Sequence, residues 1–326
     1  MKRACLLVKN ISLKKIINSF LLRLSYLYTL FSGTIKHLGM PEALSFETSA
    51  VCNLHCPECA VGMGILLRKN NFPEFKDFKK VIDELYPYLW HLFLYFQGEP
   101  FLNKNFFDYV KYATDKNIYV AVSTNGHFIT EEIAYKMVDY GLNEIIISLD
   151  GMKQESYEKY RKGGNWQKVI ESINILQKVK QEKKSKTPLV TIQFIVFSHN
   201  EHEISDFLSK KKRWGADYME LKTAQIYDLT NTSLLPNNEK YRRYNIVNGK
   251  AVLKNKQGKG CWRMWHSMVI TTDGVVVPCC YDKNADYALG EIGKSSIRDI
   301  WKSEKYSKAR KLAYNKHLSI CSNCQS

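Results

Sequence analysis

Three cysteines fall within eight residues, Cys52, Cys56 and Cys59, in the stretch VCNLHCPECA. Thiolates are soft ligands, and such a run on one loop reads as metal or cluster binding rather than as part of a disulfide framework. Three is one short of the four ligands that a closed metal site takes. A four-iron cluster held by three cysteines keeps one iron open, and an open metal position binds something. A chelating amino and carboxylate group is the guest that suits it. A zinc ion completed by His55 or by a distant cysteine is the competing use of the same loop. A second group follows at Cys261, Cys279, Cys280, Cys321 and Cys324, while Cys5 stands alone. Between Cys261 and Cys279 the run VITTDGVVV reads as a hairpin with Asp-Gly at its turn. Two cysteines thus straddle a hairpin and two arrive together from the carboxyl end, which makes four ligands for one closed cluster. Adjacent cysteines rarely point at the same metal, so Cys279 is taken as the ligand and Cys280 as a free thiol. A structural zinc knuckle is the alternative.

The elements that must position these residues alternate. Strand patterns at 43–49, 91–96, 118–123, 144–149, 189–197 and 217–222 are interleaved with helical spacing at 78–89, 106–116, 131–140, 167–183 and 204–214. That is about six βα repeats, the pattern of a parallel sheet with outer helices. The fold class is α/β, a partial (β/α)6 TIM-like barrel, since six units are too few to close the usual eight-stranded one. A small C-terminal cysteine-rich, cluster-binding domain follows. The domains are read as a basic amphipathic segment at 1–42, the barrel at 43–223, a linker at 224–260 and the cluster domain at 261–326. A segment as short as the last rarely builds a sufficient core alone, and a metal cluster supplies the missing constraint. After the first strand comes the cysteine loop. The next three end in Gln97-Gly98-Glu99-Pro100, Ser123-Thr124-Asn125-Gly126 and Ser148-Leu149-Asp150-Gly151. In a parallel barrel these points share the rim at the carboxyl ends, where active sites form.

Composition narrows the setting. The chain has 326 residues, 48 basic and 32 acidic, for a net charge of +16. Such basicity suits nucleic acid, an anionic membrane or an anionic substrate. No RNA-binding or helix-turn-helix signature is present, so no nucleic-acid partner is expected. The clustered cysteines place the protein in a reducing cytoplasm. The first 41 residues hold seven Lys or Arg and no acid. Among them Leu13, Ile16, Ile17, Phe20, Leu24, Leu27, Tyr28 and Phe31 recur at helical spacing, and Lys14, Lys15 and Asn18 fall away from that stripe. Such a helix either packs on its own domain or makes peripheral contact with an anionic membrane. No run is apolar enough to span a membrane, and no small-residue cleavage site follows the apolar run.

The Cys-x3-Cys-x2-Cys loop directly after a first strand resembles the radical S-adenosylmethionine (SAM) superfamily. The resemblance covers roughly residues 43 to the end. It implies a 4Fe-4S cluster on Cys52, Cys56 and Cys59 whose open iron holds the methionine end of SAM. Reductive cleavage then makes a 5′-deoxyadenosyl radical that abstracts hydrogen from substrate. Gly98 and Glu99 resemble the end of the family's Gly-Gly-Glu motif, which meets the SAM amino group; Gln97 replaces the first glycine. Ser148 and Arg161 resemble the pair that holds the SAM carboxylate, Thr124 and Asn125 belong to the same pocket, and Asn200 would reach the ribose. Glu58 stands where the family usually has an aromatic residue near the adenine. The second cysteine group, with Leu289-Gly290-Glu291-Ile292 and Ile297-Arg298-Asp299-Ile300-Trp301, resembles SPASM and twitch domains. Cys261, Cys279, Cys321 and Cys324 suffice for one auxiliary 4Fe-4S cluster, the shorter, twitch-like form. The implied activity is oxidation of a small or carbohydrate-like substrate, the auxiliary cluster accepting an electron and a flavodoxin- or ferredoxin-type reductase supplying one. Lys222 and Asp228 are the candidates for the general base. A peptide- or protein-modifying maturase is the alternative within the family, although residues 1–42 look too short for a leader-binding domain. A non-catalytic iron–sulfur electron relay or binding protein is the alternative of another class.

Overall fold

In the computed structural model, residues 2–69, 71–254 and 258–324 are described. Two helices come first, α1 (Lys2–Val8) and α2 (Leu13–Ser32). The alternation then runs β1 (Ala43–Phe46), α3 (Phe75–Leu85), β2 (His91–Phe93), α4 (Phe106–Thr114), β3 (Tyr119–Thr124), α5 (Glu131–Asp139) and β4 (Glu144–Ser148). It continues through α6 (Gln154–Tyr160), α7 (Trp166–Glu182), β5 (Leu189–Val196), α8 (Ile204–Ser209) and β6 (Tyr218–Thr223). Each of the six strands pairs in parallel with the next. Alternation sets the two faces of the sheet. Leu44, Leu92, Val120, Ile145, Ile147, Ile192 and Phe194 are buried in the core. Their neighbours Ser45, Phe93, Ile146 and Gln193 are only half-buried. Helix α3 shows the matching logic, burying Phe78, Val81, Ile82 and Leu85 at one-turn spacing. Side-chain oxygens of Thr130 and Asn165 cap α5 and α7.

The chain then departs from the sequence reading. The segment read as a linker holds an antiparallel pair, β7 (Tyr244–Val247) and β8 (Lys250–Leu253). Beyond it lie α9 (Arg263–His266), β9 (Ser267–Ile270), β10 (Val275–Val277), β11 (Gly290–Glu291), α10 (Ile297–Lys302) and α11 (Glu304–Tyr314). Strand β9 does not stay in a separate domain. It pairs in parallel with β1, Ala43 opposite Ser267 and Phe46 opposite Ile270, giving one nine-stranded sheet in the order β11-β10-β9-β1-β2-β3-β4-β5-β6. The apolar first strand of the hairpin thus covers an edge of β1 that would otherwise be bare. A buried bidentate pair locks the junction: Arg68 donates from Nη1 and Nη2 to the two Glu47 carboxylate oxygens at 2.7 and 2.8 Å. The Thr272 amide adds a third bond to Glu47 at 2.9 Å.

The two leading helices form a floor beneath the amino ends of the strands. In α1, Arg3 donates to Glu144 at the start of β4, to Thr191 in β5 and to Glu220 in β6. In α2, Lys15 donates to the carbonyl of Asn117 just before β3, and Ser19 bonds Trp90 before β2 and Glu42 before β1. Asn18 closes both backbone groups of Met40. The side of α2 that packs inward is therefore its polar one: Lys15, Asn18, Leu22, Ser25 and Thr29 are buried. The apolar stripe faces outward, so α2 does not pack its apolar face on its own domain.

Candidate active site

The cysteine loop leaves β1 at the carboxyl rim and wraps back on itself. The amides of Cys59 and Met63 donate to the carbonyls of Cys56 and Cys59. A Cβ on Gly62 would stand 2.5 Å from both the nitrogen and the oxygen of Cys56, so only glycine lets the loop close there. Cys52, Cys56 and Cys59 are unbridged. They border a small apolar cluster of Leu54, Tyr160, Phe197 and Ala224. Burial pushes the Cys52 thiol up to about 11 and raises that of Cys56. Such thiols ionise when a metal takes the place of the proton.

Glu99 meets the loop from the next strand. Its amide donates to the Val51 carbonyl at 2.7 Å. Its carboxylate, only 1% exposed, accepts from Thr124 Oγ1 at 2.7 Å and from the Asn125 amide at 2.8 Å. Burial outweighs these bonds and lifts the carboxyl to about 7. The turn before it needs Gly98. Its φ is +67°, and a Cβ would lie 2.5 Å from the Ser49 carbonyl oxygen. Asn125 Nδ2 bonds Asn53 Oδ1 at 2.7 Å and lies 3.8 Å from Cys52 Sγ. The structure thus brings Gly98, Glu99, Thr124 and Asn125 together against the first cysteine.

Arg161 follows α6 and reaches the same loop from the opposite side, its Nη1 lying 4.0 Å from Cys56 Sγ. Asp150 holds it in place, accepting from Arg161 Nε at 2.6 Å and from the Ile195 amide at 2.6 Å. Asp150 thus anchors the arginine, while the cap position of α6 falls to Lys153. The spacing of Asp150 and Arg161 carried no signal of this, because α6 was not read as a helix. Ser148 ends β4 opposite Gln193 of β5, buried on the same rim. Asn200 is not brought to the rim opening. Wholly buried, it donates to the carbonyls of Asp150 and Ile195 and accepts from the Phe197 amide. A turn after β5 must satisfy its backbone groups, and Asn200 does that instead of reaching a ribose. Lys222 pairs with Glu220 on a half-exposed side chain, and Asp228 bonds Thr230 in an exposed turn, near enough to Glu58 of the cysteine loop to add to the rise that burial gives its carboxyl. Glu58 accepts from the Tyr227 amide at 2.7 Å and ties the loop to the segment after β6. Lys283 donates to the Tyr227 hydroxyl, while its carbonyl accepts from Arg68 Nε at 2.6 Å. These contacts join the first cysteine group to the second.

In the second group, Cys261, Cys279, Cys321 and Cys324 line one enclosed, largely apolar pocket with Met264, Pro278, Leu318 and Ile320. Burial raises the Cys279 thiol. Cys280 lies outside this lining, and its Sγ accepts from Arg263 Nη1 at 3.4 Å. Among the described residues no three His, Cys, Asp or Glu side chains are gathered as for a single metal ion. One zinc ion draws its ligands within about 2.3 Å of a point, whereas a four-iron cluster takes each thiolate on a different iron. Two all-cysteine sets, of three and of four, fit the cluster better than the ion.

The radical SAM superfamily pattern matches residues 46–210, and that of an iron-sulfur cluster-binding domain, SPASM, matches 261–325. The chain is 28% identical over 181 residues to mycofactocin maturase MftC of Mycolicibacterium smegmatis, covering 56% of this chain and 44% of that one. It is 26% identical over 196 residues to PqqA peptide cyclase of Bradyrhizobium diazoefficiens, covering 60% of this chain and 50% of the other. The chain thus spans half or less of the length of such curated relatives. Among solved structures, Streptococcus suis SuiB bound to precursor peptide SuiA superposes with a TM-score of 0.64 at 12% identity, covering 93% of this chain and 74% of that one. BtrN in complex with AdoMet and 2-DOIA gives 0.52 at 20% identity, covering 88% and 94%. Both share the fold. With its three-cysteine rim loop and a second cysteine set in the matched C-terminal domain, the chain belongs to the radical SAM superfamily and carries a SPASM domain.

Proposed function

We propose that this protein is a radical SAM enzyme that modifies a peptide or protein substrate by hydrogen-atom abstraction, with one auxiliary iron–sulfur cluster beside the site. When bound, the family's SAM and 4Fe-4S cluster supply a 5′-deoxyadenosyl radical at the rim. Cys52, Cys56 and Cys59 would hold that cluster. Glu99, ionised, would pair with the SAM ammonium while Thr124 and the Asn125 amide keep it oriented. Arg161, fixed along one edge by Asp150, keeps its remaining N–H groups for a carboxylate, and Ser148 stands on the same rim. Cys261, Cys279, Cys321 and Cys324 would hold the auxiliary cluster.

The observation that carries the reading is the convergence of Glu99, Asn125 and Arg161 on one three-cysteine loop. The peptide class rests on the relatives' names and on the open sheet, whose edges β6 and β11 leave the rim unclosed. A second reading, oxidation of a small carbohydrate-like molecule, is favoured by one observation: the C-terminal pocket offers four cysteines, enough for one closed cluster only.

The test is anaerobic. The reconstituted protein receives SAM, dithionite and size-fractionated cell extract, and 5′-deoxyadenosine is measured against a variant with Cys52, Cys56 and Cys59 all changed to Ala. Stimulation by a fraction that protease digestion destroys supports a peptide substrate. Stimulation by a protease-resistant, low-mass fraction transfers the reading to a small molecule. No 5′-deoxyadenosine from a fully loaded, reducible protein removes the enzymatic reading.

A further inference from the structure

The outward face of α2 has no role in the site. It presents Leu13, Ile17, Phe20, Leu24, Leu27 and Phe31 in one stripe, each between 48% and 89% exposed. A water-soluble helix normally turns such a stripe inward. Here the inward positions, Leu22 apart, are polar and individually bonded: Lys15 to Asn117, Asn18 to Met40, Thr29 to Lys36. The orientation is therefore fixed by specific contacts. The stripe is also flanked by cations. At 100° per residue, Lys14 and Arg23 fall on opposite margins of it. Lys14 shares a shallow depression with Arg298 and Lys302. No acid occurs before Glu42.

We infer that α2 is a membrane-surface helix that lays the floor of the protein on an anionic bilayer. Leucine, isoleucine and phenylalanine side chains enter the acyl boundary, while Lys14, Arg23, Arg298 and Lys302 reach the headgroup phosphates along their aliphatic stems. The helix lies in the interface and does not cross it, for no helix among the described residues is long and apolar enough to span a membrane. Charge selects this occupant over a second copy of the chain. Two α2 faces in contact would bring Lys14 against like charge with no carboxylate in either helix to meet it, while Arg23, 57% exposed, already has Glu42 of its own chain at 3.4 Å. Because α2 runs under the amino ends of β1, β2 and β3, the cysteine rim at their carboxyl ends faces away from the bilayer, toward the aqueous phase.

Flotation of the cluster-loaded full chain with phosphatidylcholine vesicles, with and without phosphatidylglycerol, tests the inference. The protein is expected to float only with the anionic vesicles, and less at high salt. The double variant Phe20→Glu, Leu24→Glu should lose binding by at least about tenfold. Its melting temperature and its iron content should stay at the parent's values, since both side chains already face outward. Lys14→Glu with Lys302→Glu should weaken binding to anionic vesicles. A parent that stays unbound, or a double variant that floats as well as the parent, overturns the inference. So does a vesicle-free dimer in sedimentation velocity that the double variant dissociates, which would make the stripe an interface between copies.

Discussion

Glu99 sits where burial works against its charged form. With its folded value near 7 against an ordinary 4.5, the carboxyl binds its proton more tightly in the fold than in the unfolded chain. Its stabilising contribution is therefore present below the ordinary carboxylate range and lost as pH rises through about 7, up to about 3 kcal/mol. A bound ammonium reverses the balance by pairing the charge. The SAM-free parent should lose melting temperature across this interval relative to Glu99→Gln, whereas SAM should stabilise the parent more as pH rises and the variant hardly at all. Thermal unfolding with and without SAM reads both effects. Asp150 makes a second residue-scale case. Changing it to Asn leaves the mostly buried Arg161, 15% exposed, without its counter-charge, at a cost toward the low end of the roughly 3–5 kcal/mol for fully buried pairs. The expected result is a lower melting temperature together with weaker SAM binding. A fall in stability with unchanged SAM affinity would show that Arg161 does not hold SAM.

At the scale of elements, two loops carry the prediction. Gly98→Ala places a methyl group 2.5 Å from a backbone oxygen at a φ of +67°. The turn must open, at a cost of about 1–3 kcal/mol from backbone strain before any clash is relieved. Iron loading on Cys52, Cys56 and Cys59 should fall with it, because the same turn holds Val51 through the Glu99 amide. The second loop separates two adjacent thiols. Cys279→Ser removes a pocket-lining residue and should lower iron from about eight to about four per chain. Cys280→Ser should leave it unchanged, since Cys280 lies outside that pocket. Iron and sulfide analysis of the two variants after identical reconstitution decides which cysteine is the ligand.

For the whole molecule, the buried Glu47–Arg68 pair and the β1–β9 ladder make one unit of the barrel and the C-terminal segment. Arg68→Met strands a buried carboxylate and should destabilise the protein by about 3–5 kcal/mol. Hydrogen exchange is expected to quicken first in β9 and in the Arg68 segment, with β3 to β5 protected longest. Uniform loss of protection across all strands would mean that the pair does not fasten the junction.

Much of this was legible in the chain itself, because local chemistry dictates it. Alternating apolar runs specified the six parallel strands and five of the helices between them, while the short α6 was missed and α8 ends at Ser209, five residues earlier than read. The position of the polar loops after those strands put Cys52, Glu99 and Asn125 on one rim, whereas Arg161 was singled out only by the family resemblance. Other features depend on residues far apart in sequence. Nothing near Asp150 signals that it anchors Arg161, and nothing near Ser267 signals that β9 covers β1. A hydrogen-bonding edge acquires a partner only when the sheet exists. The same holds for α2, whose apolar stripe the sequence displays plainly. Which way the stripe points was decided by Asn18, Lys15 and Ser19 finding backbone and side-chain partners on the floor of the barrel, a contact that exists only once the strands have assembled.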